Sequence, residues 1–508
     1  MPVLSGVLLT AAFPNMGISW LVWFALVPLL ISISDQSPGK SFRIGFLCGI
    51  VHYLSLMYWL AYTMHTYGHL PWFLSIPVLF LLTCYLSLYT GAFSASVILL
   101  CKKPTGLFFI IPVLWVFFEY LRTVLLSGLP WELIGYSQHK ILPIIQISDL
   151  FGVYGVSFLI ALSNATLFLV FLSATGKHWN GFSVSKPITT ASVLLFACAF
   201  LAGWLYGTRR IASVERLMTS APKVRVAVVQ GNIDQGIKWN PDFQDSSVEK
   251  YLRLSRTAGR NQVDLIVWPE TATPFYFLHD AELTRKVFEG IFSIGADFLI
   301  GSPSYTQQKN RIAYYNSAYL LRADGKIYGK YNKVHLVPFG EYVPFKKWLP
   351  FLGKMVSQVG DFKSGKLGQT IPWRAHRVGL LICFEIIFPG LSRAVVKNQA
   401  ALLVNITNDA WFGKTSAPYQ HFSMAVFRAV ENRRSLVRSA NTGISGFVDP
   451  IGRALDVTAL FKDEIRIRSV PLMKASTFYT RFGNLFAFAC LAATVVVTAI
   501  RVMTKGRS

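Results

Sequence analysis

The sequence predicts a polytopic α-helical membrane bundle joined to a layered α/β domain. Three observations predict it. The 508 residues are 53% hydrophobic and only 15% charged, against about a quarter charged in ordinary soluble chains. Apolar runs crowd the first 207 positions, and one more lies near 484–502. Between them, from about residue 221, short β-rich runs alternate with helix-like stretches, as in layered α/β folds. The expected organisation is a helical bundle of about seven spans over 1–207, an α/β domain over 221–475 and a C-terminal transmembrane helix over 484–502. The chain has no internal repeat, low-complexity tract or Gly/Ser linker.

The apolar runs fall near 3–14, 17–34, 42–63, 72–100, 106–126, 149–173 and 188–207. A helix needs about 20 apolar residues to cross the hydrocarbon core. The first run is short and broken at Pro14-Asn15, so it reads as a half-span or as an interfacial hairpin with the second. It carries no basic n-region, which argues against a cleaved signal peptide. Lys40 and Arg43, Lys102 and Lys103, Lys177 and Lys186, then Arg501, Lys505 and Arg507 fall in alternate connections, whereas the connection at 64–71 has neither Lys nor Arg. The positive-inside rule makes the first group cytoplasmic and puts 208–480 on the opposite side. Arg209 and Arg210 run against the rule, from which large translocated domains largely escape.

Lys and Arg outnumber Asp and Glu 49 to 25, a formal charge of +24. No basic stripe or nucleic-acid motif accompanies that excess, so it argues for cytoplasmic loops and contact with anionic lipid, not for nucleic acid.

Within the α/β segment, "KVRVAVVQGN", "VDLIVWPE", "DFLIGSP", "NSAYLL", "RVGLLICFE" and "ALLVNITND" are apolar runs that end in polar residues. That is the look of strands buried on both faces. The intervals 243–260, 281–293, 391–399 and 418–437 read as helices. Functional residues of α/β folds gather where loops leave the strands. Here the strand ends carry Gln230, Glu270, Cys383 and Asn408-Asp409.

The cysteines sharpen this. Five of six lie in or beside the apolar runs, where a small packing role is the ordinary one. Cys383 stands alone in the α/β segment, with no disulfide partner there, and is a candidate nucleophile. No Cys/His spacing supplies a zinc site, so neither a metal nor a cofactor is expected. A thiol nucleophile needs a base and an oxyanion stabiliser. Glu270 in "IVWPETATP", and Lys333 and Glu341 in "YGKYNKVHLVPFGEYVP", offer both. Each alone has a plainer role as a helix cap or a solvated surface charge.

Taken together, Glu in "WPE", Lys in "YNKVHLVPFGE" and Cys in "LLICFE" resemble the nitrilase superfamily over roughly 224–450. With a membrane bundle before it and one span after it, the chain resembles the apolipoprotein N-acyltransferase family. "SGLPWELIGYSQ", "VVQGNIDQGIKW", "TNDAWFG" and "RSANTGISGFVDPIG" carry the same likeness. The resemblance implies an α-β-β-α sandwich and transfer of a fatty acyl chain from a phospholipid, typically phosphatidylethanolamine. The acceptor it implies is the α-amine of a diacylglyceryl-cysteine at a lipoprotein N-terminus, in a bacterial inner membrane with the catalytic domain in the periplasm. It makes Cys383 the nucleophile, Glu270 the general base and Lys333 the oxyanion stabiliser. Glu341 and Glu385 match two further carboxylates, and Trp239 and Trp411 match tryptophans near the substrate path. Phe384 departs from the family pattern, which has Tyr after the cysteine. Its backbone N–H remains available to an oxyanion.

Two other readings compete. A membrane-tethered amidase keeps the triad but needs only one helix. A transporter with an external sensing domain would place ionisable residues inside its spans, where Glu119 and Arg122 are among the few. Three further expectations follow. Lys333 should favour the Cys383 thiolate. Residues 342–360, which mix apolar and basic groups, should form a membrane-dipping flap. The loop 127–138 should be ordered, with Trp131→Ala lowering acyl transfer without unfolding the protein.

Overall fold

A computed structural model describes residues 1–308, 311–344 and 361–505. Its contacts divide the chain into two units: Met1–Ser213 with Thr415–Phe427 and Thr477–Ser508, and Val214–Lys414 with Arg428–Ser476. Residues 345–360 of the expected flap lie outside the described residues.

The first unit is helical. Among the described residues, five helices are long and apolar enough to cross a membrane: Trp72–Leu100, Pro104–Ser127, Val153–Thr175, Lys186–Ser220 and Leu485–Thr504. Pro38–Leu56 and Trp59–Thr66 make a sixth if the pair, bent by 51°, is one broken span. The two earliest runs behave differently. Pro2–Ala11 has 10 residues, about 15 Å of helix and half the hydrocarbon thickness. The second run divides into a 3₁₀ turn, Ser19–Trp23, and a short helix, Val27–Ile33.

The loop 127–138 is folded inward. Trp131, Glu132, Leu133 and Tyr136 are buried. Glu119 Oε1 accepts from the Trp115 indole at 3.1 Å and from the Ile134 amide at 2.8 Å. Arg122 Nη1 donates to the Trp131 carbonyl at 3.0 Å. The ionisable pair inside this span therefore fixes a loop, which removes the feature that most favoured a transporter. Gln420, in the segment Thr415–Phe427, completes the loop's surroundings. Its Oε1 accepts from the indoles of Trp131 at 2.8 Å and Trp59 at 3.2 Å. Its Nε2 donates to the carbonyls of Pro14 at 3.0 Å and Leu56 at 3.2 Å.

The second unit stacks two six-stranded sheets. One has the order Glu464–Pro471, Lys223–Gln230, Leu265–Val267, Asp297–Gln308, Arg311–Leu321, Ile327–Asn332. The other has the order Ala454–Leu455, Gly446–Val448, Ser435–Ala440, Leu402–Thr407, His376–Ile382, Thr370–Trp373. Alternate residues of one strand serve two cores. Val226 and Val228 join Leu380, Ile382, Val404 and Ile406 between the sheets. Ala227 and Val229 face outward, against Tyr251 and Leu252 of helix Pro241–Gly259 and Val287 and Ile291 of helix Ala281–Ile294. Helix Pro389–Lys397 packs on the other sheet, with Val395 against Gly379. The layering is α-β-β-α.

The strands absent from the sequence reading include Glu464–Pro471, Ile327–Asn332 and Thr370–Trp373, and all three are sheet edges. An edge strand is only half covered and carries charge, as "EIRIRSVP" does, so the continuous apolar signal is missing. The helix expected over 418–437 ends at Asn432, and Ser435 already begins a strand. That strand is buried at every position, and its "SLVRSA" gives no warning because its Arg438 is paired with Asp409 inside the fold.

Candidate active site

Cys383 follows directly on strand His376–Ile382 and opens a 3₁₀ turn, Cys383–Ile387. Its φ is +52°, a left-handed conformation that costs a non-glycine residue about 1–3 kcal/mol. The strain turns the side chain out of the strand's alternation. Thr271, after Glu270, has the same sign of φ at +52°. The turn bearing Glu270 lies against Gly301, where any Cβ would overlap the Pro269 carbonyl and the Thr271 amide.

Glu270, Lys333 and Glu341 form one buried cluster. Lys333 Nζ lies 3.6 Å from Glu270 Oε1 and donates to Glu341 Oε1 at 3.0 Å. Asn316 Nδ2 spends one hydrogen on each carboxylate, at 2.7 Å to Glu270 Oε1 and 2.7 Å to Glu341 Oε1. The Asn408 amide donates to Glu270 Oε2 at 2.9 Å, and the Val337 amide to Glu341 Oε2 at 2.8 Å. Burial works to discharge Lys333, but Glu341 and then Glu270 outweigh it and hold its pKa above the ordinary value. The ammonium is permanent.

Cys383 sits in the field of this cluster. Burial, then Glu270, push its thiol up to about 12, while Lys333 and a hydrogen bond with Thr407 pull the other way. Lys333 acts toward the thiolate, but desolvation and the facing carboxylate exceed its effect. The resting group is a thiol, and a base must take its proton.

Glu385 is buried but turned away from this cluster. Its Oε1 accepts from the amides of Val334 at 2.6 Å and His335 at 3.1 Å, and its Oε2 from the Ile382 amide at 2.6 Å. The Tyr331 hydroxyl donates to it at 3.0 Å. One carboxylate thus ties the residues after Lys333 to the residue before Cys383. Phe384 packs edge-on against Phe388, at 5.2 Å between ring centroids, and lies 5.9 Å from His335. Trp239 and Trp411 are exposed on loops. Each adjoins a group tied to Glu270: Lys238 Nζ donates to the Glu270 carbonyl at 3.2 Å, and Asn408 precedes the turn Asp409–Phe412.

Asn316, Lys238 and Tyr331 are absent from the sequence reading. Asn316 left a signal, since Asn is depleted in strand interiors and here interrupts "YYNSAYLL". Among the described residues, no group of three or more His, Cys, Asp or Glu side chains is placed to hold a metal ion.

Comparison with known proteins decides the family. The apolipoprotein N-acyltransferase N-terminal domain matches residues 5–166, and carbon-nitrogen hydrolase matches residues 225–478. An apolipoprotein N-acyltransferase of Geobacter metallireducens is 44% identical, covering 99% of this chain and 95% of its own. The chain belongs to the apolipoprotein N-acyltransferase family. A second such enzyme, from Methylococcus capsulatus, is 32% identical over 98% of this chain and 94% of its own. Among solved structures, an amidase from Nesterenkonia sp. AN1 is 18% identical with a TM-score of 0.39, covering 52% of this chain and 96% of its own. The chain is therefore a membrane acyltransferase with a nitrilase-type domain.

Proposed function

We propose that this enzyme moves a fatty acyl group from a phospholipid, phosphatidylethanolamine for preference, to the α-amine of a diacylglyceryl-cysteine on an apolipoprotein. Cys383, Glu270 and Lys333 carry the reaction. Glu270 takes the thiol proton as sulfur attacks the ester carbonyl. The oxyanion is held by Lys333 and the Phe384 amide. The C–O bond breaks, Glu270 returns the proton to the departing lysophospholipid alkoxide, and a Cys383 thioester remains. The amine then attacks the thioester. Glu270 takes a proton from nitrogen, the C–S bond breaks, and that proton returns to the Cys383 sulfur. Glu341 keeps Lys333 charged and placed. Glu385 sets the spacing between Lys333 and Cys383, and Trp239 and Trp411 border the substrate path. We further assign the catalytic domain, 221–475, to the periplasmic face of the inner membrane, between the bundle 1–207 and the helix 484–502, from the loop charges.

The observation that carries this reading is a buried carboxylate whose two oxygens are already oriented by Asn316, Lys333 and Asn408, together with Cys383 held at a left-handed φ where its strand ends. Purified protein given phospholipid alone should gain the mass of one acyl group on the peptide holding Cys383, releasable by hydroxylamine. A diacylglyceryl peptide with a free amine should discharge it, and an N-blocked peptide should not. Full acyl transfer by Cys383→Ala would refute the covalent route. Discharge by water at the rate seen with the amine would favour the amidase.

A further inference from the structure

Lys238 is a second buried cation beside Glu270, and the reaction above leaves it unused. Its side chain is only 1% exposed, although it lies in a turn next to exposed Trp239. Its ammonium donates to the carbonyl of Glu270 itself at 3.2 Å. The same turn reaches the Glu270 side chain by another route. Gln235 Oε1 accepts from Asn408 Nδ2 at 2.6 Å, and the Asn408 amide donates to Glu270 Oε2 at 2.9 Å. The turn is itself anchored, because Asn441 bonds both the amide and the carbonyl of Ile233, at 2.9 and 2.8 Å. The segment 233–238 therefore grips the base at its backbone and at its carboxylate.

Two buried carboxylates, Glu270 and Glu341, share Lys333. One cation cannot neutralise two anions, and a buried excess charge is resolved by taking up a proton. We propose that Lys238 is a positioning residue for Glu270: it fixes the backbone of the base and supplies a second positive charge beside its carboxylate. The groups facing Glu270 are then Lys333, Lys238, Cys383 and, across Asn316, Glu341. Asp409, which also acts on Cys383, is engaged by Arg438 at 2.8 Å. Burial brings Lys238 down to about 8, with Glu270 opposing the fall, so its charge is lost as pH rises through that value.

This inference rests on Glu270 acting as the base. It is tested by the pH profile of single-turnover acylation of Cys383 by a labelled phospholipid. Lys238→Gln keeps a donor and removes the charge, and Lys238→Met removes both. Loss of a nearby positive charge raises a carboxylate pKa, so the acid limb should move up by about one pH unit in both variants. Lys238→Arg should restore it. An acid limb unmoved in both charge-removing variants, at wild-type melting temperature, would overturn the assignment. If neither folds, Lys238→Asn and Lys238→Leu, smaller neutral side chains, take their place in the same profile, and an acid limb unmoved in either folded variant would overturn the assignment. Absence of any acyl adduct on wild-type Cys383 would instead refute the parent reading.

Discussion

Glu119 with Arg122 in the membrane unit, and Glu270 with Lys333 in the α/β unit, are both buried carboxylates near a buried cation. In the first pair the partners are neutral. Glu119 accepts from an indole and an amide, and Arg122 donates to a carbonyl. In the second the charges face one another, with Lys333 between Glu341 at 3.0 Å and Glu270 at 3.6 Å. The difference separates two uses of burial. Charges turned onto neutral groups of their own chain fix a loop. Charges held against each other keep a field ready for charge that appears during a reaction, at no cost of reorganisation.

The largest expected effect tests the second half of that contrast. Lys333→Met should slow acylation of Cys383 by about 10²–10³-fold, the loss seen when one oxyanion donor is removed. A rate within threefold of wild type, about 0.65 kcal/mol, would place the oxyanion elsewhere.

The membrane cluster should respond in stability instead. Trp131 is 1% exposed, and its indole is one of two held by Gln420. The sequence reading expected Trp131→Ala to lower turnover without unfolding. With the indole fully buried, truncation should cost about 3–5 kcal/mol. Gln420→Leu, which removes the acceptor that two indole N–H groups share, should cost about 1–3 kcal/mol for each bond lost. Both variants should show a lowered denaturation midpoint in detergent, with acylation per folded molecule near wild type at low temperature. A large rate loss at an unchanged midpoint would instead bear out the sequence reading and give this loop a part in acyl transfer.

What the sequence made legible follows the same physics. Strands such as Leu265–Val267, buried at every position, announce themselves as unbroken apolar runs, and Glu270 and Cys383 stand where such runs stop. Lys333 follows an edge strand with partial burial, so only the motif around it gave it away. Lys238 and Asn316 were missed because their importance lies in a hydrogen bond to a residue 32 or 46 positions away. No local pattern records such a pairing. The break at Pro14-Asn15 was legible, but the division of the second run into Ser19–Trp23 and Val27–Ile33 was not, because composition records apolarity whereas that break is a matter of backbone path.

The smallest effect concerns Glu385, whose position lies between the two cases. It is a buried acid turned onto neutral donors, as Glu119 is, yet it stands two residues from the nucleophile. Burial raises its carboxyl from an ordinary 4.5 to about 7, against the amides of Ile382, His335 and Val334 and the charge of Lys333. A raised folded-state pKa means that the folded protein keeps a proton the unfolded chain has released. The stability so contributed is complete below about 4.5, is lost as pH climbs to about 7, and is level above. Glu385→Gln cannot titrate. The advantage of wild type over this variant in denaturation midpoint should therefore narrow across that window, by an amount on the order of 1–3 kcal/mol. An advantage that widens with pH would mean that the three amides and the Tyr331 hydroxyl outweigh burial. Glu385 would then be an ionised staple throughout, and its grip on the segments carrying Lys333 and Cys383 would be strongest where the enzyme works.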